Sequence, residues 1–482
     1  MTKRTALAGG VVGGLAVVEF TSGVIQGYYT PLYSDIARKL AIHDADINWL
    51  EAVQLLLSAI VVPLLARLGD MYGHRRVLLG TLLLTAASAW GVAVAPSFPL
   101  FLTVWALMGF YVVWLPLNVA IIYARARRLP DTAALTRRAS GVIVVALEAG
   151  AITGALASGQ LGVVFKDNLS IVLAVPAALI TLALVVVWRF VDDPGERSGG
   201  RIDTRGAVVL SLGLLAITGG LSLVRLAGVT PLVIGLVIAG IAIIVLFVWM
   251  ERRTDSPLVD IHLVTQPTLW PVFLTSALIG VSLLGAQGAL STFVRTDRAL
   301  YGYGLSLTSA TASYLIGGYV LSLLVGAATF ARISASFTPR LVLVGATGMI
   351  GVGYLGLVLM HGNLVQVTTC MVIAGLGSGA LVAALPAAAA SAAPIGETAM
   401  ATGLTNMTKT VGGSFASAAF AIALVQGVTS GTAAPMSGYI TVWLICSGAA
   451  LVALITLLTV PKVAFTTSPD SHALPDEAVQ DR

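Results

Sequence analysis

Long runs of apolar residues alternate with short segments bearing charge, Gly or Pro along nearly the whole chain. A helix rises about 1.5 Å per residue and needs about 20 residues to cross a hydrocarbon core. Segmentation on that length predicts fourteen crossings. The first six cover residues 8–32, 47–65, 77–95, 100–123, 140–165 and 170–191. After the polar linker "DDPGERSGGRIDTR" come two more, 206–227 and 231–250. A second linker with Glu251, Arg252, Arg253 and Asp255 precedes the last six, at 268–294, 306–331, 341–360, 365–393, 402–426 and 437–460. Membrane β-strands are excluded, because runs such as "VLLGTLLLTAASAWGVAVA" lack the alternation a barrel strand carries.

Two internal echoes organise these crossings. "ARLGDMYGHR" at 66–75 returns 265 residues later as "ARISASFTPR" at 331–340, and "GFYVVWLP" at 109–116 returns as "GALVAALP" at 379–386. They pair crossing two with ten and four with twelve, which requires two six-helix halves and a two-helix insert. The expected architecture is an all-α polytopic membrane protein. Residues 1–191 form an N-terminal six-helix bundle, 192–265 the linkers and two inserted helices, 266–465 a C-terminal six-helix bundle, and 466–482 a disordered cytoplasmic tail.

Composition agrees: of 482 residues, 57% are hydrophobic and 10% charged, with mean hydropathy +0.95. Of the 27 basic residues, 20 fall in one alternate set of connecting segments, 6 in the other, and Lys409 lies inside a crossing. Basic residues favour cytoplasmic loops, so both termini are expected in the cytoplasm of a multi-pass inner-membrane protein. The net charge of +5 follows from this topology and implies no nucleic-acid partner. The opening "MTKRTALAGGVVGGLAVV" imitates a signal peptide but runs on to about Leu32 and includes Glu19, so it reads as a retained first helix. Cys370 and Cys446 sit in apolar runs with no metal-like spacing, and no metal site, nucleotide loop or catalytic triad is present in the sequence. No cofactor and no enzymatic activity are expected.

The candidate chemistry is the ionisable groups inside crossings. Glu19 lies near the middle of crossing one, where a charge costs about 3 kcal/mol on insertion scales. Glu19, Gly23 and Gln26 share one helix face at i, i+4 and i+7. Glu148 lies a third of the way along crossing five, ahead of Gly150 and Gly154, and its alternative partners are Arg137 or Arg138 of the adjoining loop. Asn118 of crossing four, and Lys409 with Asn406 one turn earlier in crossing thirteen, complete the proton or substrate candidates. Each has a plainer alternative: an interhelical hydrogen bond for Glu19, snorkelling for Lys409. Tyr28, Tyr29, Tyr33, Trp49, Trp105 and Trp114 line a substrate cavity or pack as ordinary aromatics, and Glu51 supports the start of crossing two.

Six-helix repeats around a midplane site are a common plan for secondary transporters. Within it, "ARLGDMYGHRR" at 66–76 resembles the G-x-L-a-D-r-x-G-r-[KR] loop signature of the major facilitator superfamily, with Ala66 where the first Gly is usual. The resemblance implies a gating loop made by Arg67, Gly69, Asp70, Gly73, Arg75 and Arg76, in which Asp70 locks a cytoplasmic closure. "EAGAITGALASGQL" resembles the antiporter signature G-x-x-x-G-P-x-x-G-G of the fourteen-helix drug:proton branch. Gly150, Gly154, Ser158 and Gly159 are in place for helix packing, and Ala155 stands for its proline. "GLGSGALVAALP" and "GLTNMTKTVGGSFASA" are similar to that branch's later motifs, with Lys409 at the basic position. Two positions depart: Trp105 and Met108 replace the Arg and Gln of R-x-x-Q-G in crossing four, and crossing one has Ser22 and Gly27 in place of an acid and its following Asn.

The implied function is a secondary transporter, active as a monomer, exporting amphipathic drugs or metabolites in exchange for protons, with Glu19 the favoured coupling acid and Glu148 the second. Its partners are a small organic substrate, protons and the lipid bilayer. A dedicated lipid or anion exporter or facilitator without proton antiport stays open, as does a non-transporting scaffold or receptor.

Overall fold

The computed structural model describes residues 10–126, 132–192, 203–254, 257–336, 339–393, 398–425 and 432–459. The tail expected at 466–482 and linker residues 193–202 lie outside the described residues, as does the Arg137 side chain. Among the described residues every regular element is helical. Helices suit an apolar solvent because each satisfies its own backbone polar groups.

The N-terminal helices are α1 (Val12–Tyr28), α2 (Tyr33–Leu40), α3 (Ile47–Tyr72), α4 (His74–Val94), α5 (Phe98–Met108), α6 (Trp114–Ala126), α7 (Thr132–Val164) and α8 (Leu169–Phe190). Two follow in the insert, α9 (Thr204–Ala227) and α10 (Pro231–Glu251). The C-terminal helices are α11 (Ile261–Thr265), α12 (Trp270–Gly280), α13 (Gln287–Arg295), α14 (Arg298–Tyr301), α15 (Ser309–Ser336), α16 (Pro339–Leu359), α17 (Leu364–Ala392), α18 (Thr398–Ala423) and α19 (Met436–Thr459). Among the described residues, 12 helical segments are long and apolar enough to cross a membrane. Helix α1, at 17 residues, and the more polar α18 are not among them. The sequence-based count of fourteen therefore exceeds the helices that length and apolarity alone select.

Two crossings are broken in the middle. Residues Gly109–Val113 tighten into a 3-10 turn between α5 and α6, and Val281–Gly285 widen into a π turn between α12 and α13. A break frees backbone polar groups that protein must satisfy. Ser58 Oγ does so at the first, donating to the Gly109 carbonyl at 2.9 Å. π turns inside helices mark functional sites often enough that the second directs attention to its surroundings.

One apolar core joins the N-terminal helices through Leu15, Leu82, Ile121 and Leu173, and another the C-terminal helices through Leu315, Ile350, Leu381 and Trp443. Lipid supplies no hydrophobic drive between helices, so close approach rests on small residues. A methyl on Gly23 would lie 1.8 Å from the Leu147 carbonyl oxygen, and one on Gly150 2.0 Å from that of Phe20, so α1 and α7 cross backbone to backbone. Helices α12 and α18 meet in the same way, through Gly280 against Lys409 and Gly412 against Ala277. The echoed glycines behave alike: Gly109 abuts the Gln54 carbonyl of α3, and Gly379 the Leu323 carbonyl of α15.

The two groups meet along two seams, α3 against α18 and α7 against α15. Helix α9 lies over the first, with Leu221 packed on Trp49, Ala52, Ala418 and Ala421, while α10 packs on α9 and leaves most of its surface outward.

Candidate functional site

Between the two groups lies a cavity of about 200 Å³. Its floor and walls come from both: Gln26 of α1 and Glu148 of α7 on one side, Tyr319 of α15 and Lys409 of α18 on the other. The π turn contributes Ser282 and Leu283, and Gln287 begins α13 beside them. Tyr354 Oη donates to the Ser282 carbonyl at 2.8 Å, and Gln287 Nε2 to that of Leu283 at 2.9 Å, so groups released by the break are tied down around the cavity. The remaining lining is largely Leu, Ile, Val and Met. A narrower void continues past Lys409 to Ser276, Pro386 and Asn406, toward the end of the molecule that carries the 66–76 loop.

Glu148 accepts no hydrogen bond from the protein among the described residues and projects to the cavity, where it and Lys409 interact through their charges. Lys409 Nζ donates to Asn406 Oδ1 at 3.0 Å, which leaves two of its three donors for a ligand. Three of the candidates named from the sequence, Gln26, Glu148 and Lys409, thus share one cavity, with Asn406 orienting the lysine.

Glu19 and Asn118 form a separate pair. Asn118 Nδ2 donates to Glu19 Oε1 at 2.7 Å, both residues are fully buried, and neither lines the cavity. Glu19 does share a helix face with Gln26, but two turns further along that face is covered by α6. The aromatics also pack away from the cavity: Trp105 stacks on Phe101 at 5.8 Å and meets Tyr29 edge-on at 4.8 Å.

The 66–76 loop is built by geometry. Gly73 alone joins α3 to α4, with φ at 104°, a backbone that a side chain would strain. One turn apart across it, Asp70 Oδ1 and His74 Nε2 are 3.1 Å apart. Arg75 donates to the Val191 and Trp188 carbonyls at the end of α8, so it tethers the loop within the N-terminal group. Gly69 lies against Leu117, whereas the Arg76 side chain is exposed and Arg67 half-buried. In the antiporter-like segment, Gly150 and Gly154 face α1, Ser158 donates to the Ala155 carbonyl at 3.0 Å, and Gly159 presses on Ser313 of α15.

Polar contacts between the two groups gather at the opposite end. Arg295, at the end of α13, grips Asp35 of α2 with two bonds of 2.8 and 2.9 Å and the Pro31 carbonyl at 3.3 Å. Ser291 donates to the Thr30 carbonyl, Ser309 to that of Gly159 at 3.2 Å, and Gln160 to Tyr314 Oη at 2.9 Å. Glu51 is buried in the same seam, accepting from Tyr33 Oη at 3.1 Å. Sequence reasoning missed Gln287, Tyr319, Asp35 and Arg295. The amide in the apolar stretch "LLGAQGAL" was the available signal for Gln287; the others are ordinary residues until the chain is folded.

Comparison with known proteins supplies the context. The chain is 26% identical over 382 residues to the multidrug efflux pump LfrA of Mycolicibacterium smegmatis, which covers 76% of this chain and 72% of that protein. It is 27% identical over 408 residues to the puromycin resistance protein pur8 of Streptomyces alboniger, covering 83% and 77%. It is 30% identical over 242 residues to the MFS-type transporter YwoD of Bacillus subtilis, spanning about half of each chain (49% and 51%). Crystal structures of the nucleoside transporter NupG and of a peptide transporter POT in complex with sulfate superpose with TM-scores of 0.66 and 0.67. Covering 95% and 96% of this chain at 14% and 17% identity, they show the shared fold. The sequence profile of the Major Facilitator Superfamily matches residues 15–417. With its many helices long and apolar enough to cross a membrane, two packed groups and cavity between them, the chain belongs to that superfamily and is a multi-pass plasma-membrane transporter of small molecules rather than an enzyme.

Proposed function

We propose that this transporter exports amphipathic organic molecules by alternating access, in exchange for protons. The observation that carries the reading is the cavity itself: apolar walls supplied by both groups, with an unengaged carboxyl at Glu148 on one side and Lys409 on the other. The efflux and resistance functions named for LfrA and pur8 support the direction of transport. Fourteen crossings are the count we adopt, because α1 and α18 are embedded in their groups against α7 and α12. The bundles are then 1–191 and 266–465, the insert 192–265 and the tail 466–482, with the chain working as a monomer.

Coupling is assigned to the acid that meets the substrate. A carboxyl in apolar surroundings is easily discharged by a proton and recharged by a cationic partner, so a proton and a substrate compete at Glu148. Glu19 holds the wall behind it. Its Oε2 and the Oδ1 of Asn118 both lack a partner among the described residues, and a proton kept on Glu19 gives that pair its missing donor. The test is transport by the purified chain in proteoliposomes. An imposed pH gradient should drive uphill movement of a lipophilic cationic dye, and a dye flux indifferent to pH would replace antiport with facilitated diffusion.

Orientation follows the basic residues, placing the 66–76 loop and both termini in the cytoplasm. A cysteine introduced in the 192–205 linker, or at Asp131, should react with impermeant maleimide from the cytoplasmic side alone. Reaction of both from outside would invert the assignment, and a split result would remove the fourteen-crossing count.

With that orientation the gripped end is extracellular and the protein is closed to the outside. The Asp35–Arg295 pair is largely buried; Asp35 keeps Arg38 as a second partner, so removing Arg295 costs the charged hydrogen bonds alone, about 2 kcal/mol, roughly thirtyfold in an equilibrium. Arg295→Ala should therefore raise labelling of a cysteine at Gln287 from the outside. Unchanged labelling would mean that the apolar seam holds the outer end shut without the ion pair.

A further inference from the structure

The cavity's two charges bear on which solutes it selects, a question that rests on the transport reading above. Glu148 and Lys409 stand on different helices of different groups, α7 and α18, and both line the same apolar space. Neither is consumed by the fold: the carboxyl accepts no hydrogen bond among the described residues, and the ammonium gives one, to Asn406. The amides of Gln26 and Gln287 and the Tyr319 ring complete a lining otherwise dominated by aliphatic side chains.

We propose that the preferred solute is zwitterionic: an amphipathic molecule with an amine at one end that meets Glu148 and an acid group at the other that meets Lys409, its hydrocarbon body lying along Leu283, Leu290 and Leu323. Charge balance is the reason. Within the cavity each group is the other's counter-charge, felt across the space and not through a direct ion pair. A purely cationic solute satisfies Glu148 but leaves Lys409 without its counter-charge and adds a like charge beside it; a purely anionic solute does the reverse. An unpaired charge out of water is strongly unfavourable. A neutral solute pushes the two apart and replaces neither partner. A solute with both charges replaces both, and the two spare donors of Lys409 suit a carboxylate or another oxyanion. Proton competition stays at the amine end, where Glu148 binds either the proton or the ammonium.

The experiment uses three probes of one body and the full chain in nanodiscs: para-(aminomethyl)phenylacetic acid, para-tolylacetic acid and para-methylbenzylamine. Calorimetric titration of the wild type should show the amino acid binding about tenfold or more tighter than the acid or the amine. Glu148→Gln should erase its advantage over the acid, Lys409→Gln its advantage over the amine, and the double variant should bind all three alike, with melting temperatures confirming that each variant is folded. Equal wild-type affinity for the amino acid and either singly charged probe would overturn the proposal, as would a ranking that neither substitution alters. If none of the three binds while a pH gradient still drives uptake of the lipophilic dye, the zwitterion inference falls and the antiport reading stands; if the gradient drives nothing, both fall.

Discussion

Glu148→Gln is expected to reduce pH-gradient-driven accumulation to the passive level while downhill exchange of the same solute continues. Glutamine keeps the size and the hydrogen-bonding end of the side chain but cannot take up or release a proton, so it separates coupling from cavity shape. On the antiport we propose, an entering cation displaces a proton at Glu148, and among the described residues no other carboxyl lines the cavity. Glu19→Gln should behave differently, because glutamine imitates the protonated acid that we assign to the pair with Asn118. Its transport should remain near wild type, whereas Asn118→Leu, which strands the buried carboxyl, should lower both melting temperature and yield. Measuring uptake with and without an imposed gradient for both Gln variants decides the matter. A Glu148→Gln protein that still concentrates solute, beside a Glu19→Gln protein that does not, would move coupling to Glu19.

The second large effect is steric. Gly150→Ala and Gly412→Ala each put a methyl about 2.0 Å from a carbonyl oxygen of the partner helix, Phe20 in the first and Ala277 in the second. Backbone cannot yield as a side-chain tip does, so each crossing has to spread, at a cost of about 1–3 kcal/mol or more. Both substitutions should lower the melting temperature in detergent by several degrees and impair transport. Gly80→Ala, with nothing within 4 Å of the added methyl, should leave both unchanged. Equal melting of all three would show that the helices have room to separate, and the close crossings would lose their structural role.

Much of this was readable in the chain. Crossings declare themselves by length and apolarity because lipid accepts little else, but the 66–76 segment read as a loop is helical on both sides of Gly73, since charged residues at a helix end look the same in sequence as charged residues in a loop. The glycines of "EAGAITGALASGQL" announced a tight contact, although only the fold shows that Gly150 serves α1 and Gly159 serves α15. What stayed hidden depends on partners distant in sequence. Glu19 and Asn118 are 99 residues apart, and Asp35 and Arg295 are 260 apart. Depth along a helix marked Glu19 as the more interesting acid, but depth carries no information about what covers a given face. The fold places Glu148, not Glu19, on the cavity, facing α13 and α15, whose register against α7 no periodicity in one segment can give. The same limit explains why Lys409 was legible as an oddity and its neighbour Gln287 was not: a lysine in hydrocarbon is conspicuous, an amide much less so.

The inserted pair α9 and α10 also changes how the protein meets the bilayer. A solute dissolved in the membrane has two side doors into a cavity framed by two groups, one at each seam. Helix α9 straddles the door between α3 and α18, with Leu221 wedged over Trp49 and Ala418, and α10 thickens that wall toward the lipid. The inserted pair leaves the seam between α7 and α15, the side from which Glu148 reaches inward, without such a cover among the described residues. The protein is thus one-sided in the plane of the membrane, with a thickened wall on the lysine's side of the cavity and a thin one on the acid's side.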